Sequence, residues 1–205
     1  AKAPMAGQAK TRLAPALGLH GAAELAERML RHALAEAVEA GIGPVELCGA
    51  PDATHPALVA AAAAYGAALT DQGSGDLGQR MHRAFERALS RGRRALVIGT
   101  DAPALDAVRL REAAARLDDH DAVFVPALDG GYALVGLARA DPRWFSDMAW
   151  STPGVMEETR RRLRAADVRW AELAPVADID EPADLVHLPA TWRKDLPTMS
   201  VGSAP

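Results

Sequence analysis

The chain of 205 residues carries a single cysteine, Cys48, which excludes an internal disulfide and suits a reducing compartment. Long apolar runs are missing too. The longest, Ala57–Tyr65, falls far short of the ~20 residues of a membrane-spanning helix. The N-terminus has no apolar stretch of the signal-peptide kind, so a soluble cytoplasmic protein is expected, with no membrane partner. There is no excess of positive charge: the formal net charge is -4. Bulk electrostatics therefore favour neither nucleic acid nor an anionic membrane, and any anion site must be a local patch. The six histidines do not cluster at metal-ligand spacing, which argues against zinc. No G-x-S-x-G element and no Cys/His pair supports hydrolytic nucleophile chemistry. Internal repeats are absent, and nothing in the sequence sets the oligomeric state.

What is present fits one α/β domain. A chain of this length buries roughly 70% of its unfolded surface, so it needs no covalent staple. Alanine and arginine are abundant, as in GC-rich bacterial genomes. Helical and strand-like apolar periods alternate. Helices are expected at Gly21–Ala40, Ala57–Ala64, Leu77–Ser90 and Ala107–Leu117, from Pro153 to about Ala165, and at Pro182–Leu188. Strands are expected at Pro44–Cys48, Ala67–Thr70, Ala95–Ile98, Asp121–Val125, Tyr132–Gly136 and Val168–Leu173. Ala95–Ile98 is continuously apolar and reads as a strand buried on both faces. This alternation predicts a mainly parallel central sheet flanked by helices. Residues 1–188 form the expected single domain. The segment 189–205, with its proline, serine and glycine, is expected to be a poorly ordered tail. The sequence opens inside a motif, and a strand usually precedes such a loop, so an upstream strand is expected to be missing.

Four motifs carry chemistry. In Lys2–Leu13, Gly7 permits a tight turn, Thr11 supplies a hydroxyl, and Lys2, Lys10 and Arg12 can neutralise phosphate oxygens. The loop resembles half of a Walker A element but lacks its spacing, which excludes a P-loop ATPase. Asp101, in Gly99–Pro103, follows an apolar strand, where ligands of open α/β sheets gather. A carboxylate there suits Mg²⁺ or Mn²⁺, both of which prefer hard oxygen ligands. Asp178 and Asp180 can lie near one point on a turn, although Asp180 is equally placed to cap the next helix. Asp129-Gly130-Gly131-Tyr132 allows close approach of a ligand and also reads as a hairpin turn. Two further stretches qualify. Gly73–Gly78, with Gln79 and Arg80, can wrap a base or sugar. Trp150-Ser151-Thr152 offers an aromatic face and two hydroxyls, with Thr152 reading as a helix cap.

Taken in order, K-x-P-x-x-G-x-x-K-T-R-L, G-D-L-G-x-R-M, G-T-D-x-P, D-G-G-Y-x-L-x-G-L, W-S-T-P and D-I-D-x-P-x-D-L resemble the DUF2064 family of nucleotide-diphospho-sugar transferase-like proteins. That family lies in the glycosyltransferase-A superfamily, and some members are named as arsenosugar-biosynthesis glycosyltransferases. The resemblance implies a Rossmann-like glycosyltransferase-A fold. It implies nucleotide phosphate binding by Gly7, Lys10, Thr11 and Arg12, and base or ribose contacts from Gly75, Asp76, Leu77, Gly78 and Arg80. It further implies metal ligation by Asp101 with Asp178 or Asp180. Asp129, Gly130, Gly131, Tyr132, Trp150, Ser151 and Thr152 would line the sugar or acceptor side. Two departures stand out: the strand before the first lysine is missing, and Thr-Asp-Ala at 100–102 replaces the common D-x-D. A lone aspartate there is closer to the molybdenum-cofactor and phospholactate guanylyltransferase relatives.

Three functions follow as expectations. The first is metal-dependent glycosyl transfer from a nucleotide-diphospho-sugar to a small-molecule acceptor, with Asp101, Lys10 and Arg12 serving the leaving group and Asp129 the acceptor. The second is nucleotidyl transfer, in which a phosphorylated acceptor attacks a nucleoside triphosphate and releases pyrophosphate. The third is nucleotide binding without turnover.

Overall fold

The computed structural model describes residues 1–196 of the protein. The chain begins with a loop that closes in a 3-10 turn at Thr11–Leu13. The regular elements then follow as α1 (Ala14–Ala40), β1 (Glu46–Gly49), α2 (Pro56–Tyr65), β2 (Ala68–Asp71), α3 (Leu77–Leu89), β3 (Ala95–Ile98), α4 (Ala107–Arg116), β4 (Ala122–Pro126), β5 (Tyr132–Leu137), α5 (Val155–Ala165), β6 (Trp170–Glu172) and α6 (Ala190–Arg193).

The main sheet has the order β3-β5-β4-β6, and β1 and β2 form a separate parallel pair. Residues Ala1–Ala3 continue beside the end of β1, with Lys2 bridging Ala50 in parallel. In the main sheet β3, β4 and β6 share one direction, and β5 alone runs against its neighbours. The expected parallel sheet is therefore mixed. The cause is local. The short connection around Asp129-Gly130-Gly131 cannot hold a crossover, so it returns the chain as a hairpin. Gly130, at φ 93°, supplies a backbone conformation that other residues avoid.

Burial corrects one strand. β4 is buried at every position, whereas Leu96, Val97 and Ile98 of β3 are only half-buried. Among the described residues β3 pairs with β5 alone, so its apolar run serves an edge rather than the centre. β4 alternates as a two-faced strand should. Val123 and Val125 pack with Leu110 and Leu117 of the α4 side. Ala122 and Phe124 pack with Phe85 of α3 and Leu163 of α5. The result is a sheet covered by helices on both faces.

Helix ends also refine the expectations. α1 starts at Ala14, ahead of Gly21, because the break at Gly18 (φ 71°, ψ 169°) interrupts it without ending it. α3 opens on a capping box, with the Asp76 carboxylate accepting from Gln79 N. Thr152 does not cap α5. Gly154 holds that position, and the Thr152 hydroxyl donates to Ala149 O at 2.7 Å. Asp180 is not a cap either: Glu181 caps the 3-10 turn Pro182–His187. The start of the expected loose tail is packed. α6 places Trp192 against the α1 cluster, with the Arg28 guanidinium 4.5 Å from the Trp192 ring. The remainder of that expectation, residues 197–205, lies outside the described residues. Among the described residues, no helix is long and apolar enough to cross a membrane.

Candidate active site

Apolar burial brings the first loop to the last motif. Leu13 and Ile179 are both fully buried in one cluster with Leu17, Met29 and Leu185. Each is the immediate neighbour of a charged residue, Arg12 and Asp180 respectively, so burying the pair carries those charges together. Burying one leucine or isoleucine side chain stabilises by about 1.5–3 kcal/mol, ample to hold this junction.

At the junction, Lys10 Nζ lies 3.0 Å from Asp101 Oδ2 and 3.2 Å from Asp180 Oδ1. Arg12 Nη1 donates to Asp180 Oδ2 at 3.0 Å and lies 3.6 Å from Glu181 Oε1. The Lys10 side chain is only 8% exposed, while those of Asp101 and Asp180 are 51% and 44% exposed. A buried ammonium thus sits between two half-wet carboxylates. Lys10 holds this place in the left-handed conformation, φ 49°, which costs a side-chain-bearing residue roughly 1–2 kcal/mol. Gly7, at φ 76°, makes the turn that precedes it.

Main-chain bonds fix the acidic loops to one another at one end of the sheet. Ile179 N donates to Asp101 O at 2.8 Å. Val176 N donates to Pro126 O, and Leu128 N donates to Val176 O, both at 3.0 Å. Asp101, Asp129, Asp178 and Asp180 accordingly follow strands that run in one direction, at the sheet end where their carboxyl termini lie, the expected ligand edge of an α/β sheet. Burial pushes the Asp178 carboxyl above the ordinary carboxylate range, and the neighbouring charge of Asp129 pushes it the same way. Asp129 itself accepts Gly131 N at 2.8 Å.

The other sequence-derived residues divide. Lys2 is turned into its own loop and donates to Gln8 O at 2.8 Å. Thr11 opens the 3-10 turn and is exposed. Gly78 lies against Trp150 so closely that a Cβ there would stand 2.8 Å from the indole Cζ2. Trp150 meets Tyr132 edge-on at 6.3 Å, so the glycine loop, the hairpin and the W-S-T segment converge. Tyr132 is in the core as much as the site: its ring packs on Phe124 at 5.6 Å, and burial drives its phenol pKa upward. Ser151 is exposed at φ 61°. Leu77 is 47% exposed. Gly75 O accepts Arg80 Nε at 2.9 Å, so that guanidinium already serves the loop.

Asp101, Asp178 and Asp180 do not gather into one coordination shell. Among the described residues, no three His, Cys, Asp or Glu side chains are placed to hold a metal ion together. The donor chemistry nevertheless fits a hard divalent cation. Magnesium commonly takes one or two carboxylates and completes its shell with substrate phosphate and water. Arg83, nearly two turns into α3, is a site-bordering residue that the motif reading passed over. The arginine spacing 80, 83, 87 on one helix face, directly after the glycine loop, was the available signal. An open groove of about 850 Å³, lined by Arg94, Asp118, His120 and Arg169 among others, lies at the opposite end of the strands, away from this chemistry.

Comparison with known proteins bears on the family and the fold. The model of DUF2064, a family described as an uncharacterized protein conserved in bacteria, matches residues 33–152. The chain belongs to this family. The DUF2064 match spans the glycine loop, Asp101 and the hairpin, while Lys10, Arg12 and Asp180 fall outside it. A solved structure from Desulfovibrio desulfuricans G20, bearing the name "putative nucleotide-diphospho-sugar transferase", is 28% identical with a TM-score of 0.80. The alignment covers 88% of this chain and 80% of that one. Two more distant structures share the fold. A CMP:2-keto-3-deoxy-manno-octonic acid synthetase solved with CTP is 15% identical, TM-score 0.55, over 82% of this chain and 88% of that one. Glucosyl-3-phosphoglycerate synthase from Mycobacterium tuberculosis, solved with Mn²⁺, UDP and glucosyl-3-phosphoglycerate, is 13% identical, TM-score 0.51, over 78% and 70%. No curated protein matches the chain. This DUF2064 chain thus shares its α/β fold with these nucleotide-diphospho-sugar transferase, synthetase and synthase structures.

Proposed function

We propose that the protein is a transferase that uses a nucleotide-activated donor, and that the reaction is glycosyl transfer from a nucleotide-diphospho-sugar to a small-molecule acceptor. One observation carries this reading. Lys10 and Arg12 meet Asp180 across 170 and 168 residues of sequence, and Lys10 bridges from there to Asp101. Two cations and two carboxylates at the ligand edge of the sheet suit a diphosphate held with a divalent metal. The similarity to the D. desulfuricans protein supports it.

In this reading, Lys10 and Arg12 take the charge that develops on the departing diphosphate. Arginine grips two oxygens at once, and lysine acts as a point charge. Asp101, with Asp180 or Asp178, would hold Mg²⁺ or Mn²⁺, which when bound supplies further charge neutralisation to the leaving group. Asp129 stands on the acceptor side. The acceptor hydroxyl oxygen bonds to the anomeric carbon, the bond from that carbon to the diphosphate oxygen breaks, and Asp129 receives the hydroxyl proton. The glycine loop before α3, with Gly75, Asp76, Leu77, Gly78 and Arg80, seats the base and ribose. Trp150, Ser151 and Thr152 border the sugar.

Nucleotidyl transfer is the second reading. The lone Asp101 between Thr100 and Ala102 favours it, and so does a fold shared with a synthetase that binds CTP. Product analysis with a candidate acceptor separates the two. Glycosyl transfer releases a nucleoside diphosphate from a nucleotide sugar. Pyrophosphate release from a nucleoside triphosphate would replace it with the second reading.

A further inference from the structure

The segment Gln72–Asp76 leaves β2 and enters α3, and its carbonyl groups are turned toward the arginines of that helix. Arg83 Nη2 donates to Gln72 O at 2.8 Å and also to Ser74 O. Among the described residues, no carboxylate lies within ion-pair distance of Arg83, so its guanidinium acts on backbone oxygens. The fit is close. A Cβ at Gly73 would stand 3.0 Å from Arg83 Nη2, and one at Gly75 would stand 2.1 Å from Gln79 Oε1.

A trans peptide is planar, so a carbonyl turned one way sends the N–H of the next residue the other way. The Gly73 N–H is taken by Asp71 Oδ1 at 2.5 Å, and the Asp76 N–H by Gln79 Oε1 at 3.1 Å. Ser74 and Gly75 are exposed, and among the described residues their N–H groups have no protein acceptor. With Ser74 O held by Arg83, the Gly75 N–H faces away from α3. On one side of this loop the Gln72 amide donates to Ala1 O and Cys48 O, at 3.3 and 3.0 Å, tying it to the start of the cationic loop. On the other side Gly78 meets Trp150.

We infer that Arg83 is a positioning residue for the nucleoside half of the donor. It holds the Gln72–Asp76 loop so that the Gly75 N–H group is presented to the base and ribose, and it does not touch the diphosphate. This rests on the nucleotide reading above. Arg87, one turn further on, continues the clamp onto the sheet by donating to Glu46 Oε1 at 2.6 and 3.0 Å.

The test is calorimetric titration of wild type and Arg83→Ala with ADP, CDP, GDP and UDP, and with inorganic pyrophosphate, each with MnCl₂. Losing the two carbonyl bonds should weaken the best nucleoside diphosphate about tenfold, as one to two hydrogen bonds predict, and leave pyrophosphate affinity unchanged. A merely structural role would lower both together, and that result overturns the proposal, as does an unchanged diphosphate affinity. If Arg83→Ala is unfolded by circular dichroism, Arg83→Lys is titrated in its place. It keeps the charge but loses the planar fork, and affinity for the nucleoside diphosphate equal to wild type overturns the proposal. Wild type that binds no nucleotide fails in its own titration, which removes the donor reading first and this inference with it.

Discussion

Replacing Lys10 by Met separates its charge from its packing. The variant keeps a long apolar stem and the left-handed backbone, and loses only the ammonium that joins Asp101 to Asp180 at 3.0 and 3.2 Å. Exposed ion pairs contribute about 0–1 kcal/mol, and hydrogen bonds to charged groups about 1.5–3 kcal/mol. Here the cation is buried and both anions are half-exposed, so the expected loss is about 1–3 kcal/mol. For a domain of this size that lowers the melting temperature by roughly 2–12 °C. The same change leaves Asp101 without its cation, while Asp180 keeps only Arg12. Mn²⁺ alone should then raise the melting temperature of Lys10→Met more than that of wild type, where the ammonium opposes the cation. A nucleoside diphosphate alone should raise it less, because a phosphate partner is gone. Differential scanning fluorimetry with MnCl₂, UDP and neither reads all of these. A variant that melts with wild type and responds identically to both ligands would refute the reasoning.

Other outcomes follow from the same geometry. Gly130→Ala places a Cβ 2.1 Å from Pro153 O at φ 93°, and should cost about 2–4 kcal/mol in urea denaturation through clash and backbone strain; an unchanged midpoint would contradict the close approach of hairpin and α5. Glu46 responds to pH. Burial pushes its carboxyl up, but the Arg87 hydrogen bonds outweigh that and leave it below the ordinary 4.5. A depressed folded value means that its stabilisation is present above pH 4.5 and fades as pH falls through the folded value. Glu46→Gln should therefore lose less stability than wild type on acidification below pH 4.5, and parallel acid melts of the two would refute this.

The motif order and the ligand edge were legible because each carries its own physical signature. Asp101 follows an apolar strand, and Gly130 and Gly131 announce a hairpin. The strand ranking was not legible. Ala95–Ile98 and Ala122–Pro126 are equally apolar in sequence, and only pairing decides that β3 takes the edge and β4 the centre. Capping was misassigned at Thr152 and Asp180 because a neighbour could serve as well: Gly154 and Glu181 took those positions. That freed the Asp180 carboxylate for Lys10 and Arg12, a contact spanning 170 and 168 residues that no local pattern encodes. Arg83 was missed because its partners are backbone carbonyls, which leave no mark in side-chain motifs. Trp192, at the start of a segment whose composition reads as loose, packs against the α1 cluster, a contact that composition does not encode.

The central claim is that Lys10, Arg12, Asp101 and Asp180 form the seat of a nucleotide's phosphates together with a divalent metal. A thermal-shift panel of nucleoside diphosphates, nucleoside triphosphates and nucleotide sugars, with and without Mn²⁺, on wild type and Asp101→Ala tests it most directly. Ligands that bind only the native state raise its midpoint. At least one nucleotide should stabilise wild type, more strongly with Mn²⁺, and the metal-dependent part should vanish in Asp101→Ala. Wild type that responds to no nucleotide, or Asp101→Ala that responds to metal as wild type does, would contradict the account.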